Sequence, residues 1–143
     1  MTMQLVPLCS LVLALAPSLT IGTGSAGNRS VGAIRSATLA GERLSGSLAS
    51  PAAADWLIRT GTIGVIDARM AIQIDDGALI DISYGGRLDL SNPSAGLTTC
   101  IGPVFDTGDE RYVRLNRIQA VGKGALSFTA NATRIDYELS ETV

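Results

Sequence analysis

The stretch that decides the fold is "GVIDARMAIQIDDGALIDIS", residues 64–83. Its first half alternates apolar and polar residues, and the apolar positions are Ile66, Ala68, Met70, Ile72 and Ile74. A period of two predicts a β-strand with one buried face. The Asp76-Gly77 pair that follows is typical of a tight hairpin turn between two strands. The stretch therefore predicts two antiparallel strands joined by a hairpin.

Strand patterns separated by turn residues continue on both sides of this stretch. Gly61-Thr62 indicates another turn, residues 111–124 are predicted as a strand, and residues 125–140 alternate to the end. Residues 87–110 are rich in Pro and Gly and are predicted as one long connection. About eight strands and no amphipathic helix of ten residues predict an all-β fold. We expect one domain, residues 1–143, forming an antiparallel β-barrel without exposed edges, with a β-sandwich as the alternative.

The chain opens with the apolar run "QLVPLCSLVLALAPSLTIG", residues 4–22. A signal peptide requires a basic segment before its apolar run, but the four residues before Leu5 contain no Lys or Arg. A strand of the barrel wall is therefore favoured over a secretion signal. The run is also interrupted by Pro7 and is too short for a membrane span. The "GTGSAG" of residues 22–27 resembles a dinucleotide loop in form, but no helix pattern follows it. We predict a loop between two strands.

Composition excludes several classes of function. The chain has no His, which removes His-based triads and most zinc or iron sites. Its net charge is −2 with scattered Lys and Arg, so no basic face for nucleic acid is expected. Cys9 and Cys100 are predicted to be reduced and unpaired, as in a cytoplasmic protein. A secreted protein is the alternative if the opening run is a signal peptide. No cofactor, metal, nucleic acid or membrane partner is predicted.

Three segments resemble a known bacterial and fungal family: residues 54–59 "ADWLIR", residues 66–82 "IDARMAIQIDDGALIDI" and residues 105–124 "FDTGDERYVRLNRIQAVGKG". The family is the one catalogued as domain of unknown function 3237, and the resemblance extends over essentially the whole chain. It implies a fold similar to the small antiparallel barrels of allene oxide cyclases and dirigent proteins. Those barrels enclose apolar ligands and need no cofactor.

Two neighbouring residues are the first candidates for a site. Asp55 begins a predicted strand at the mouth of the barrel, and a buried Asp beside an apolar ring would have a raised pKa suited to general acid–base catalysis. Trp56, the only Trp, is predicted either to form a ligand-stacking wall or to cap the core.

A charged pair on the next strand has two interpretations. Asp67 and Arg69 are two residues apart and project from one face, so they could form a surface ion pair. Alternatively, both lie inside the barrel, where Arg69 would polarise a carbonyl or stabilise an enolate and Asp67 would contribute to substrate binding.

The remaining candidates come from the segments that carry the resemblance. Tyr112 and Asn116 are predicted to share one strand face with Arg114, where Tyr112 and Asn116 could donate hydrogen bonds to a substrate oxygen. A buried structural network is the alternative for both, and for Tyr137. Arg114 stands where the family commonly has an aromatic residue. Phe105, Arg114 and Tyr137 are predicted to contact the substrate.

Three hypotheses for function follow. The first is a cofactor-independent enzyme acting on a small, mainly apolar, oxygenated metabolite by isomerase, cyclase or lyase chemistry, as in secondary metabolism. Its predicted catalytic residues are Asp55, Arg69, Tyr112 and Asn116. The second is a non-catalytic barrel that binds such a ligand. The third is a structural homo-oligomer whose polar strand faces form the subunit interface.

Overall fold

A computed structural model describes residues 1–143 and contains eleven β-strands and two short 3-10 helices. The strands are β1 (Leu5–Leu15), β2 (Leu19–Gly24), β3 (Gly27–Ala40), β4 (Gly46–Leu48), β5 (Ala54–Thr60), β6 (Ile63–Ile74), β7 (Leu79–Asp89), β8 (Leu97–Ile101), β9 (Val104–Asp106), β10 (Ala120–Phe128) and β11 (Thr133–Thr142). The 3-10 helices are Pro93–Ala95 and Glu110–Arg117. No helix is long and apolar enough to cross a lipid bilayer.

Eight of the strands close into a ring in which every pairing is antiparallel. Going round the ring the order is β1, β3, β5, β6, β7, β8, β10 and β11, and β11 pairs again with β1. The three other strands lengthen the wall: β2 pairs with β3, β4 bridges β3 and β6, and β9 pairs with β7. The predicted β-barrel of about eight strands is confirmed, and closure leaves none of the eight ring strands with a free edge.

The core follows from the alternation seen in the sequence. All five apolar positions of β6, from Ile66 to Ile74, are buried, and the residues between them face outward. Gly77, with φ of +97°, forms the turn into β7, as the Asp-Gly pair predicts. The buried apolar side chains form one continuous cluster in the barrel interior.

The apolar opening run is part of the barrel wall. Strand β1 pairs with β3 on one side and with β11 on the other, so the strand prediction is confirmed. A bulge between Pro7 and Cys9 lets the consecutive residues Leu8 and Cys9 both be buried, which strict alternation would forbid. The "GTGSAG" segment joins two strands, as predicted, but only Ser25 and Ala26 form the turn, and its other residues belong to β2 and β3.

Two predicted elements are wrong. The long connection over residues 87–110 contains the end of β7 and two further strands, β8 and β9. The strand predicted over residues 111–124 begins only at Ala120, because the 3-10 helix Glu110–Arg117 precedes it. Asp109 begins this helix: its carboxylate accepts the backbone N–H of Arg111 at 2.9 Å, which favours a helical turn over an extended strand.

Candidate active site

The barrel contains an apolar cavity that opens at one end. Its volume is about 210 Å³, below the range of about 300–1,000 Å³ common for ligand sites, so it suits a small molecule. Exposed Ser18, Arg59 and Phe128 mark its mouth. The walls are mainly aliphatic and comprise Leu15, Leu57, Ile66, Leu88, Leu90, Leu97, Leu126 and Ile135.

A single carboxyl group lies in this apolar cavity. Alternation along β5 directs Asp55, Leu57 and Arg59 toward the cavity. Asp55 is 8% exposed, and no side chain or backbone group pairs with its carboxylate. Burial raises the pKa of Asp55 from 3.8 to about 7, and the nearby charge of Asp67 adds to the shift. Near neutral pH this group can therefore accept or donate a proton.

Three hydroxyl groups lie near this carboxyl group. Thr99 and Tyr137 line the cavity, and Tyr84 packs edge-on against Tyr137, with ring centroids 5.8 Å apart. The oxygens of all three hydroxyls are buried, and none makes a hydrogen bond of normal geometry. Tyr137 lies close enough to Thr99 and to Tyr84 for weak interactions between their hydroxyls. An unpaired buried hydroxyl costs about 1–3 kcal/mol, and a ligand oxygen in the cavity would recover part of this cost at Thr99 and Tyr137, which line it.

The tyrosine hydroxyls are held in their protonated form. Burial raises the pKa of Tyr84 well above its ordinary value, and it also raises that of Tyr137. The negative charge of Asp55 raises the pKa of both further, which places the two rings and the carboxylate in one electrostatic environment. Both hydroxyls are therefore available as hydrogen-bond donors at neutral pH.

A glycine makes room for the Tyr137 ring. Gly124 on β10 is paired with Tyr137 on one side and with Thr99 on the other. A Cβ at this position would lie 2.5 Å from Cδ1 of Tyr137 and 3.1 Å from Cγ2 of Thr99. The close approach of the ring to the backbone thus requires glycine, and the position of the hydroxyl depends on it.

Of the nine residues predicted to form the site, the structure brings two together in the cavity, Asp55 and Tyr137. Two polar residues of the site, Tyr84 and Thr99, were not predicted. Tyr84 continues the buried alternation of Ile80 and Ile82 along β7, a pattern that could have identified it. Thr99 lies in the segment that was predicted to be a loop, so no pattern pointed to it.

Trp56, Asp67 and Arg69 lie on the outer face of the barrel, which corrects the prediction that they line its interior. Trp56 follows the inward-facing Asp55, so alternation directs its ring outward, where it is 40% exposed and paired with Asp67. Arg69 shares the outer face with Asp67 but binds Asp81 on β7, with Nη2 2.9 Å from Oδ2. Arg69 therefore forms a surface ion pair, which was one of its two interpretations, but its partner is Asp81 instead of Asp67.

Tyr112 and Asn116 are outside the cavity because their segment is a 3-10 helix rather than a strand. The hydroxyl of Tyr112 donates to Oδ2 of Asp76 at 2.6 Å, at the β6–β7 turn. The amide of Asn116 accepts the backbone N–H of Thr107 and donates to the carbonyl of the same residue, each at 2.9 Å. Both side chains hold this helix and its neighbouring loop in place, so their role is structural, although Tyr112 is half-buried and Asn116 is exposed rather than buried.

Arg114 and Phe105 also lie away from the cavity. Arg114 binds the carboxylate of Glu141 at 2.9 Å, and Arg43 binds the same carboxylate. The hydrogen bonds from the two arginines lower the pKa of Glu141, so the pairing favours its charged form. Phe105, on β9, is buried in the core and does not line the cavity. Their predicted contact with a substrate bound in the cavity is corrected accordingly.

The fold and the site together define a class of protein: a small closed antiparallel β-barrel with an apolar cavity that contains a buried carboxyl group. The chain belongs to the family described as "Protein of unknown function (DUF3237)", whose model matches residues 3–141. This confirms the resemblance found in the sequence. No curated protein matches the chain in sequence.

Several solved structures share the fold. A β-barrel-like protein from Acinetobacter baumannii is 26% identical with a TM-score of 0.85, covering 100% of this chain and 98% of its own. A conserved protein of unknown function from Rhodopseudomonas palustris is 21% identical with a TM-score of 0.86, covering 100% and 99%. A protein described as an enzyme, from Penicillium herquei, is 19% identical with a TM-score of 0.70, covering 97% and 96%.

Proposed function

We propose that this barrel is a cofactor-independent enzyme that moves a proton on a small, mainly apolar, oxygenated molecule held in the cavity. The reaction class is isomerisation, cyclisation or elimination through an enolate. The observation that carries the proposal is the unpaired Asp55 carboxyl group in one apolar cavity with the buried hydroxyls of Thr99 and Tyr137. The Penicillium herquei protein of the same fold, described as an enzyme, supports the view that this fold can host catalysis.

The chemistry assigned to each group follows from its charge state. The Asp55 carboxylate removes a proton from the carbon next to a carbonyl group and becomes a carboxylic acid. The hydroxyls of Tyr137 and Thr99 donate hydrogen bonds to the carbonyl oxygen, which carries the negative charge of the enolate. Return of the proton to a different carbon gives an isomer. Loss of a leaving group from the enolate gives an elimination product, with the proton left on Asp55 or passed to that group.

The pKa of Asp55, about 7, suits this cycle. A base with a pKa near the working pH is largely available as carboxylate and still returns its proton readily. The aliphatic walls exclude water, which strengthens the hydrogen bonds to a developing enolate. They also restrict a flexible substrate to conformers that fit, which brings its reacting atoms together.

The test is exchange of carbon-bound hydrogen for deuterium. Small cyclic ketones and enones are incubated with the protein in D₂O, and loss of the α-proton signal is followed by NMR. We expect Asp55→Asn to slow the catalysed exchange by about 100-fold or more and Tyr137→Phe to slow it to a lesser extent. Asp136→Asn is the matched control, because Asp136 is exposed and pairs with Arg134 on the outer face. Exchange at the wild-type rate in folded Asp55→Asn would contradict the proposal.

The second candidate function is a barrel that binds such a molecule without changing it, and the predominantly aliphatic lining favours it. Native mass spectrometry of the protein from its own host separates the two functions when combined with the exchange assay. A retained small molecule that the protein leaves unchanged, with no exchange of any ketone, would favour the binder. The same spectrum reports whether the chain forms a homo-oligomer.

A further inference from the structure

The cavity has one charged side chain at each end. Of the residues that line it, Asp55 and Arg59 alone carry a charge-bearing group, and both belong to β5. Asp55 is buried at the inner end, while Arg59 is exposed at the mouth. Four residues along a strand separate their Cα atoms by roughly 13 Å. The strand therefore fixes the spacing between an acid–base group and a cationic group on one wall.

Arg59 has no acidic partner in the protein. Its Nε donates to the carbonyl of Gly61 at 3.1 Å, and its terminal amino groups make no hydrogen bond or ion pair. Some arginines of the barrel are paired with a carboxylate, such as Arg69 with Asp81, whereas Arg59 is not. A free guanidinium group at a cavity mouth is suited to a planar anion, because it can donate two parallel hydrogen bonds to a carboxylate.

The wall between the two ends offers only apolar contacts on this strand. Leu57 lies between Asp55 and Arg59 on the inward face, and Ile66 and Leu88 extend the apolar surface across β6 and β7. Ser30 of β3, which is paired with Leu57, adds one hydroxyl beside this surface. A ligand that reaches from one end to the other must therefore have a mainly apolar middle. Its inner end must carry an oxygen for the unpaired hydroxyls, and its outer end must be able to meet a positive charge.

We propose that the molecule bound in the cavity is a small amphiphilic acid: an apolar ring or short chain with a carbonyl or hydroxyl oxygen at the inner end and a carboxylate at the mouth, paired with Arg59. This inference rests on the proposed function for the role of the inner end and adds the substrate class. Arg59 is a specificity-determining residue, and the carboxylate orients the molecule so that its reacting carbonyl enters first.

Binding of a matched probe pair tests the substrate class. 3-(4-Acetylphenyl)propanoate carries a ketone at one end and a carboxylate at the other, and its methyl ester differs only in lacking the charge. We expect the wild-type protein to bind the acid about tenfold more tightly than the ester by calorimetry. Arg59→Met should abolish this preference and leave ester binding unchanged. Raising the salt concentration should weaken binding of the acid only.

The control is Arg87→Met. Arg87 is also exposed and lacks an acidic partner, but it does not line the cavity; its Nη1 donates to the carbonyl of Gly86 at 3.0 Å. This variant should keep the wild-type preference for the acid. The inference is overturned if Arg59→Met keeps the preference, if the wild type binds acid and ester equally, or if it binds neither.

The exchange assay keeps this inference separate from the proposed function. A preference for the acid that depends on Arg59, without exchange of any ketone, would uphold the ligand class and contradict the enzyme. Exchange of neutral ketones that depends on Asp55 but not on Arg59, together with equal binding of the two probes, would uphold the enzyme and contradict the acidic substrate.

Discussion

The Asp55 carboxyl group is buried and has no partner in the protein, so it makes the stability of the fold depend on pH. Its pKa is about 7 in the folded protein against an ordinary value of 3.8. Between pH 3.8 and about pH 7, Asp55 is protonated in the folded protein and ionised in the unfolded chain, so the free energy of unfolding falls as pH rises. Above pH 7 the free energy of unfolding stays at this lower value. With about 1.4 kcal/mol per pKa unit, the loss is on the order of a few kcal/mol.

Asp55→Asn removes this titration. We expect the variant to be more stable than the wild type at pH 8, with the difference shrinking toward pH 5, as measured by urea unfolding at several pH values. Because the chain has no His, the residue type that ordinarily titrates in this window is missing, which simplifies the comparison. Parallel pH dependence in the two proteins would show that Asp55 keeps an ordinary pKa.

Gly124 is the second residue on which the site depends. A methyl group at this position would overlap the Tyr137 ring and press on Thr99, so Gly124→Ala forces the floor of the cavity to shift. We expect a loss of stability of about 1–3 kcal/mol by urea unfolding and weaker ligand binding. Gly108→Ala is the control, since a Cβ there meets no atom within 4 Å. Equal stability of the two variants would contradict the packing described.

At the scale of single elements, the strands with a clear apolar–polar alternation were predictable, whereas β8, β9 and the helix Glu110–Arg117 were not. In β6 the alternate apolar residues from Ile66 to Ile74 are buried and the residues between them face away, so a period of two was sufficient. The helix Glu110–Arg117 buries only Leu115, so it has no apolar stripe that would mark it in the sequence. Its conformation depends on the Asp109 cap and on contacts with distant turns, such as the bond from Tyr112 to Asp76.

Asn116 provides the test of this helix. Its amide satisfies both backbone groups of Thr107, so Asn116→Ala removes two hydrogen bonds and should cost about 1–3 kcal/mol in unfolding free energy. Asn131→Ala is the control, because the Asn131 side chain is exposed and makes no hydrogen bond. Binding of the acid probe should be unchanged in both. Loss of binding in folded Asn116→Ala would return this residue to the site, as the sequence first suggested.

At the scale of the whole molecule, closure of the barrel separates the two cysteines. Cys9 lies in β1, paired with Leu139 of β11, and is buried, whereas Cys100 is exposed, and both are free thiols. Burial raises the pKa of Cys9 to about 12, which suppresses the reactive thiolate. We expect N-ethylmaleimide to modify Cys100 alone in the native protein and both thiols in denaturant, by mass spectrometry. Equal modification of both thiols in the native state would show that β1 and β11 separate readily.

The fold was more predictable than the site for a physical reason. A strand pattern states which residues share a face, and this was enough for a barrel wall. Which face points inward depends on the pairing of all the strands, so the sequence left Arg69 with an inside and an outside interpretation, and the structure places it outside. Alternation did contain one usable constraint: Asp55 and Trp56 are adjacent, so only one of them could face the cavity. Thr99 and Tyr137 meet only through the pairings of β10.

The most direct test of the central claim is the titration of Asp55 by carboxyl ¹³C NMR in aspartate-labelled protein. The resonance is assigned by its absence in Asp55→Asn. The proposed acid–base role predicts a midpoint of about 7, shifted further when a ligand with a carbonyl oxygen occupies the cavity. A midpoint near 4, insensitive to such a ligand, would contradict it: the carboxyl group would then be solvated and ordinary, and Asp55 could not be the acid–base group proposed for this barrel.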